Sequence, residues 1–439
     1  MKNTVNDNSA PPRSAAPDTA PDTAGITGPF AELGVDPSFI QKLAARAIFK
    51  PTAIQKQVIP LLAAGESCLF RSATGTGKTF AYLLPLLRRL LAEYASPEGA
   101  CAPAGPRMLI CAPTYELCSQ IKGEADFLLA PSPASGPPAG PVPAVSLIIG
   151  SAAMGRQIET LKKDKPAVVV GTPGRLLALA RMGKLKLRGL TFLVLDEGDR
   201  LTAEELREET TELLTFLPRG GCLWVSCSAT LPPQSRERLL GLFGETAAPG
   251  APPRIVETDD AQILRDQIEH WAFFCEERRK IQTLRSLLAA VKPKKALVFS
   301  GRSGQPKNIV SQLRYHHLYA AGLYGDQDKK SRKEAIDGFR SGKITVLVSS
   351  DLAARGLDIP GITHVIALDV PDEPGPYIHR AGRTGRAGKR GIMITLGGEE
   401  ELRRLARLEK KLGIAVYPQV LYRGQVCPPE PLENEGLNR

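Results

Sequence analysis

"CLFRSATGTGKTFAYLLPLL", residues 68–87, joins three patterns in one run. Cys68 to Phe70 form a short apolar strand, Ser72 to Gly77 a turn of small residues, and Lys78-Thr79 open a run with helical apolar spacing. Gly75 and Gly77 let the backbone curl with its N–H groups pointing inward, so the turn and the helix N-terminus can hold anionic oxygens. The pattern makes Ser72, Ala73, Thr74, Gly75, Thr76 and Gly77 a phosphate cradle. Lys78 would neutralise the outer phosphates and the Thr79 hydroxyl would ligate a magnesium ion. The general pattern has a glycine five positions before Gly77, where this chain has Ser72.

The same strand, loop and helix order recurs along the chain. Strand candidates lie at 67–70, 107–112, 145–150, 167–171, 191–195 and 222–226, then at 269–274, 295–300, 319–324, 344–349, 363–368 and 391–396. Most are continuous apolar runs, which means burial on both faces and so parallel sheets covered by helices. An Ala, Pro and Gly-rich stretch at 244–254 separates the two series, and a final helix is expected near 399–412. The expectation is an α/β chain of two tandem domains, 28–245 and 263–420, with a linker at 246–262 and a short tail at 421–439. Residues 1–27 lack the large apolar groups a core needs and are expected to be disordered; Pro-rich runs at 94–107 and 130–144 read as surface insertions.

Composition narrows the class. No apolar run is long enough to span a bilayer and the N-terminus has no secretory core, so a cytoplasmic protein without membrane association is expected. Eight cysteines without a CxxC pair read as reduced thiols, not a disulfide framework or a zinc site. The net charge of +11 is uneven: residues 263–439 carry 30 Lys and Arg against 20 Asp and Glu, the first 262 residues 27 against 26. A basic second half suits a polyanionic partner, and equally a plain soluble surface.

"TFLVLDEGDRL" (191–201) ends a buried strand in Asp196, Glu197 and Asp199. Taken alone this is a solvated charged turn or a site near a cation. In a parallel sheet, however, loops after the strand ends gather on one edge, so these carboxylates can lie beside the phosphates held after Phe70. Asp196 would then hold the hydrated magnesium and Glu197 would orient and activate the attacking water. A second cluster, "YIHRAGRTGRAGKR" (377–390), spaces Arg380, Arg383 and Arg386 three apart among glycines, which does not read as a core face. It is either a set of arginines that spread transition-state charge on a triphosphate or a basic nucleic-acid patch.

Over residues 30–415 the motifs, in order, resemble those of the DEAD-box ATP-dependent RNA helicases of helicase superfamily 2. Phe30 and "KPTAIQ" (50–55) are similar to the Q motif, "SATGTGKT" (72–79) to the phosphate loop and "DEGD" (196–199) to the DEAD motif, with Gly198 in place of alanine. "PTYEL" (113–117), "GS" (150–151), "TPGR" (172–175) and "SAT" (228–230) follow, then "LVFSG" (297–301), "YGDQDKKSR" (324–332), "SSDLAARGLD" (349–358) and "HRAGRTGR" (379–386). The resemblance implies two tandem RecA-like domains, each a parallel sheet flanked by helices. It implies that Phe30, Gln55, the 72–79 loop, Asp358, Arg383 and Arg386 bind ATP. Lys78, Glu197, Arg383 and Arg386 would be catalytic, with magnesium at Thr79 and Asp196. Asp199, Ser228, Thr230 and His379 would couple hydrolysis to strand separation, though His379 reads equally as a solvated loop histidine. Pro113, Thr114, Gly150, Thr172, Arg175, Arg332 and Ser350 would contact RNA.

Several positions depart from the pattern. Tyr115 replaces the arginine of PTREL, Ser151 a glycine, Lys329 a glutamine and Tyr324 a histidine, while Ala47 and Ile48 stand where a glycine and an aromatic are usual, which leaves Phe49 as a possible adenine platform. The reading is an RNA-stimulated ATPase that separates short duplexes or remodels ribonucleoprotein. It is monomeric, has little sequence preference, and ribosome-assembly or RNA-decay proteins are its expected partners. The alternatives are a non-hydrolysing RNA clamp that scaffolds a complex, and the same enzyme acting on DNA.

Overall fold

The structure is a computed structural model and describes residues 28–73, 75–95, 105–131, 142–218, 220, 222–246, 252–258, 260–301, 305–324, 327–354, 359–385 and 389–429. The 1–27 tail, most of both Pro-rich runs, and Thr74, Asp358 and Arg386 lie outside the described residues.

In the first half, β1 (Cys68–Arg71), β2 (Met108–Cys111), β3 (Val145–Ile148), β4 (Val168–Gly171), β5 (Phe192–Asp196), β6 (Leu223–Ser228) and β7 (Arg254–Glu257) form one parallel sheet. Its order is β3-β4-β2-β5-β6-β1-β7. Successive residues of β2 show why this segment must be central. Ile110 joins the core beneath the helices Ala53–Ala64, Lys78–Ala95 and Tyr115–Leu129, while Leu109 and Cys111 join the core beneath Pro173–Arg181 and Glu204–Leu214. With apolar side chains leaving both faces, such a strand is stable only between two helical layers.

The second half repeats the plan. The strands β8 (Ile268–Phe274), β9 (Ala296–Phe299), β10 (Ala320–Leu323), β11 (Val346–Ser349), β12 (His364–Ala367), β13 (Gly391–Gly397) and β14 (Val416–Pro418) form a parallel sheet of order β10-β11-β9-β12-β13-β8-β14. The last helix is Glu399–Leu412, as its charge and apolar spacing predict.

Two segments differ from the sequence expectation. Residues 254–257 pair with β1 as a seventh strand, so the first sheet continues into the stretch read as linker. Within the supposed tail, β15 (Val420–Tyr422) and β16 (Gln425–Cys427) make an antiparallel hairpin whose Leu421 and Val426 pack on the second core. Both are short and largely exposed, so they lack the apolar run that marks a buried strand. Trp224 is fully buried in the first core, and no helix among the described residues is long and apolar enough to cross a membrane. Six of the seven described cysteines are buried, and all seven are free thiols.

Candidate active site

Because β6 lies between β1 and β5, three loops become neighbours on one sheet edge: the phosphate-type loop, the carboxylates after β5, and Ser228 to Thr230. Register fixes their depth, with Arg71 opposite Ser228 and Asp196 opposite Cys227.

The loop after β1 is closed on itself. Ser72 Oγ donates to Thr76 Oγ1 (2.7 Å), Thr76 to the Ala73 carbonyl (2.8 Å), and Lys78 Nζ to the Ser72 carbonyl (2.7 Å). Gly75 and Gly77 have φ of 83° and 85°, the left-handed region that the curl requires. Gly77 is constrained twice over, since a Cβ there would stand 2.3 Å from Gln55 Nε2. Gln55 is itself buried; its Nε2 donates to the Gly77 carbonyl (3.0 Å) and its Oε1 accepts from the Thr52 amide (3.0 Å). It therefore ties the N-terminus of helix Ala53–Ala64 to the loop. Phe30 is packed into the first core at 2% exposure, whereas Phe49 is 65% exposed.

Asp196 is buried and accepts three bonds, from Tyr82 Oη (2.9 Å), the Glu197 amide (2.9 Å) and Cys227 Sγ (3.1 Å). Burial first, and then Asp196 itself, push the Tyr82 phenol well above its usual pKa, so it stays a donor. Glu197 has a left-handed φ of 53°, a strain on the order of 1 kcal/mol. It is 8% exposed, and burial, reinforced by Asp196, raises its pKa to about 7, while Arg383 and Lys78 pull the other way. Asp199 accepts from Thr230 Oγ1 (2.5 Å) and the Arg200 amide (3.0 Å), and its own amide donates to Ser228 Oγ (3.0 Å). The carboxylates after β5 and the loop after β6 are thus joined by direct bonds. Gly198 is needed locally, because a Cβ would meet Ser226 Oγ at 2.3 Å and Leu239 at 3.2 Å.

Opposite these groups stands the second half of the chain. A cleft of about 630 Å³ is lined by Glu197, Asp199 and Thr230 from one domain and His379, Arg380 and Arg383 from the other. His379 Nε2 is 3.9 Å from Asp199 Oδ2, and burial, then Lys78 and the arginines Arg383 and Arg200, lower its pKa to about 3. It faces Asp199 as a neutral ring, not as an ion-pair partner. The arginines divide, contrary to the expectation that none reads as a core residue. Arg380 is 3% exposed and fully engaged with Asp351 (2.5 and 2.7 Å), Asp369 (2.7 Å) and the Asp369 carbonyl (2.8 Å), which makes it a scaffold. Arg383, 6% exposed, lines the cleft and acts electrostatically on Glu197.

The donor set suits a magnesium ion held mainly through a nucleotide. Among the described residues no group of three or more His, Cys, Asp or Glu forms a metal cage, and magnesium typically takes one or two carboxylates plus substrate phosphates and water. Asp196 and Thr79 would hold it, and bound there it would neutralise charge on the phosphates.

The expected RNA contacts fall on three adjacent strands. Pro113 and Thr114 follow β2, Gly150 follows β3, and Thr172 and Arg175 follow β4, in the sheet order β3-β4-β2. Arg175 donates to the Gly150 carbonyl (2.7 Å), and Thr114 caps helix Tyr115–Leu129 through the Leu117 amide. Tyr115 is 47% exposed. Ser350 follows β11 and accepts from the Ala353 amide. Arg332, expected to contact RNA, has its guanidinium bonded to Glu116 of the first domain and to the Ala353 carbonyl. Glu116 was not among the candidate residues, and nothing in its local sequence marks a partner 216 positions away.

Residues 52–239 match the DEAD/DEAH box helicase family and 279–388 the helicase conserved C-terminal domain. The chain is 35% identical over 394 residues to the DEAD-box ATP-dependent RNA helicase CshC of Bacillus cereus, covering 90% of this chain and 94% of that one. The chain belongs to the DEAD-box helicase family. A second relative, "Probable ATP-dependent RNA helicase YfmL" of Bacillus subtilis, is 35% identical over 89% of this chain and 96% of its own length. Among solved DEAD-box structures, S. cerevisiae Dbp5 bound to RNA and ADP BeF3 superposes with a TM-score of 0.75 at 26% identity, covering 89% of this chain and 96% of that one. Mss116p, at 21% identity and a TM-score of 0.71 over 93% of this chain and 82% of that one, shares the fold of this helicase. The two parallel sheets are accordingly tandem RecA-like domains.

Proposed function

We propose that this DEAD-box protein is an RNA-stimulated ATPase that closes its two domains on ATP and one RNA strand, and so separates short duplexes or remodels ribonucleoprotein. The observation that carries this reading is the cleft in which Glu197 of one domain faces Arg383 of the other, beside the Lys78 loop. Lys78, Thr79 and the 72–77 turn would hold the triphosphate, with Asp358 and Arg386 completing the nucleotide site. Glu197, as a carboxylate, orients the attacking water and accepts its proton; Arg383 spreads the charge that develops on the transferred phosphoryl group. The chemistry is positioning and electrostatics, so it depends on the domains being closed. Asp199 and Thr230 would transmit the state of the phosphate end to the domain contact, because their bond links the carboxylate loop to the loop after β6.

RNA would lie across the ends of β3, β4 and β2 and reach the second domain near Ser350. Such contacts address the backbone, so sequence preference should be slight. Distorting a few base pairs is within reach, since stacking is worth roughly 1.4 kcal/mol per step in DNA. A cytoplasmic monomer, with domains divided near residues 246–262 and ribosome-assembly or RNA-decay proteins as partners, completes the reading. The test is phosphate release from ATP with and without single-stranded RNA at two salt concentrations, beside Glu197→Gln. RNA stimulation that weakens with salt and vanishes in the variant supports it. RNA binding without hydrolysis under any condition replaces it with a scaffold clamp.

A further inference from the structure

From Arg278 through Gly325 the chain contains ten Lys and Arg and no Asp or Glu. Phe299 of this run lines the cleft described above, but its cationic residues do not, and the arginines Arg380 and Arg332 of that site are already bonded to carboxylates. Of its described cations, Arg278 pairs with Glu276 and the buried Lys280 with Glu277 and Glu401, so the charge open to a partner lies further along. Helices Lys280–Val291 and Gln305–Tyr315 pack on the same face of the second sheet, through Leu284, Leu287, Ile309 and Leu313. A groove of about 260 Å³ runs between them, lined by Gln282, Arg285, Asn308, Gln312 and His316.

Helix Gln305–Tyr315 follows β9 and precedes β10, so it runs from the cleft edge of the sheet to the opposite edge. At that far edge the chain places Lys292 and Lys294 before β9, Tyr319 before β10 and Lys343 before β11. Backbone bonds from Thr345 to Tyr319 and from Ala296 to Thr345 hold these loops side by side. All three lysines are exposed, with no carboxylate partner among the described residues. Beside them Tyr315 and Tyr319 are 78% and 72% exposed, so neither ring contributes to the core. The left-handed His317 (φ 59°) ends the helix between the two tyrosines.

Cations that track a backbone, interleaved with exposed aromatic rings on which bases can stack, are the two elements of a single-strand nucleic-acid surface. We propose that this face, from the groove between the two helices to the Tyr315, Tyr319 and Lys343 edge, is a second binding surface for single-stranded RNA, remote from the interdomain cleft. It would lengthen the RNA footprint of the helicase and hold the protein on long transcripts through cycles of domain opening. The inference rests on the RNA-directed reading above only for the identity of the polymer.

The test uses the full chain and fluorescently labelled single-stranded RNA of about 10 and about 30 nucleotides, bracketing a site of ordinary size and one that continues beyond it. Three variants are compared: Lys292→Glu/Lys294→Glu/Lys343→Glu, Tyr315→Ala/Tyr319→Ala, and Tyr315→Phe/Tyr319→Phe. The first two should weaken the long RNA about tenfold and the short RNA by less than about twofold, and the salt slope for the long RNA should fall by about 0.7 for each phosphate that is no longer neutralised. The phenylalanine pair, which keeps the rings, should bind like the parent. Equal loss on both lengths, or a loss confined to phosphatidylserine vesicles, would overturn the proposal. ATP hydrolysis stimulated by the short RNA should survive in all three variants. If the parent shows no hydrolysis at all while the length-dependent loss persists, the helicase reading fails and this surface stands.

Discussion

Arg332 of the second domain holds Glu116 of the first, Nη2 to Oε1 at 2.6 Å, and the same guanidinium bonds the Ala353 carbonyl within its own domain. Both side chains are partly buried, at 22% and 17% exposure, in a contact that exists only while the domains are together. A pair of this kind contributes about 1 kcal/mol. Glu116→Ala and Arg332→Ala should each raise the RNA concentration needed for half-maximal ATPase about fivefold, and the double variant should be no worse than either single one. Additive losses, or a loss for Arg332→Ala alone, would return Arg332 to a direct RNA contact.

If Glu197 is the base proposed above, it sets the pH dependence of the reaction. Burial holds its pKa near 7, above the usual carboxylate value, and the ionised form is the one that can accept a proton from water. Activity should therefore rise from pH 6 to pH 8 with an inflection near 7, and should not fall over that range as the proton leaves. Glu197→Gln should lower kcat by at least about 100-fold and flatten the profile, with nucleotide affinity retained. A profile unchanged in the glutamine variant would assign the inflection to another group.

Legibility in the sequence followed burial and sequence distance. β2, β4 and β5 could be read because a strand covered on both faces is a continuous apolar run. β7, β14 and the β15–β16 hairpin could not, because few of their residues are buried and the apolar run is lost. The cradle at 72–79 and the carboxylates at 196–199 are local patterns, and the parallel topology alone was enough to bring them together. What stayed hidden were pairings set by the tertiary fold: Glu116 with Arg332, Arg380 with its two aspartates, and Gln55 with Gly77. The cluster at 380 and 383 read as one set, yet Arg380 lies in the last turn of helix Pro374–Ala381 bonded to two aspartates, while Arg383 lies in the turn beyond it.

Gly198 stands where the DEAD motif has alanine, and the strand beside it leaves no room for a side chain. The space a Cβ would need is filled by Ser226 Oγ, which bonds the Leu195 carbonyl at 3.3 Å. Gly198→Ala should lower stability by about 1–2 kcal/mol, read as a reduced midpoint of denaturant unfolding, because the hydroxyl must leave its acceptor. Adding Ser226→Ala should restore most of the loss. A Gly198→Ala protein as stable as the parent would mean that the strand shifts freely.

Arg380 and Arg383 should fail in different ways. Arg380 is the only cation bonded here to both Asp351 and Asp369 among the described residues, and its removal leaves two partly buried carboxylates facing each other. With those carboxylates about one-third exposed, solvent screens part of the effect, so Arg380→Ala should cost roughly 2 kcal/mol, with a matching fall in Tm. Arg383 lines the cleft, where the proposed mechanism has it serve the charge that appears only during the reaction. Arg383→Ala should therefore leave Tm within about 2 °C while kcat falls by about 100-fold or more, the pattern of an interaction made in the transition state. Lysine at 383 should recover little, since a point charge does not reproduce the planar fork. The crossed result, with stability lost at 383 and turnover lost at 380 in a fully folded protein, would exchange the two roles.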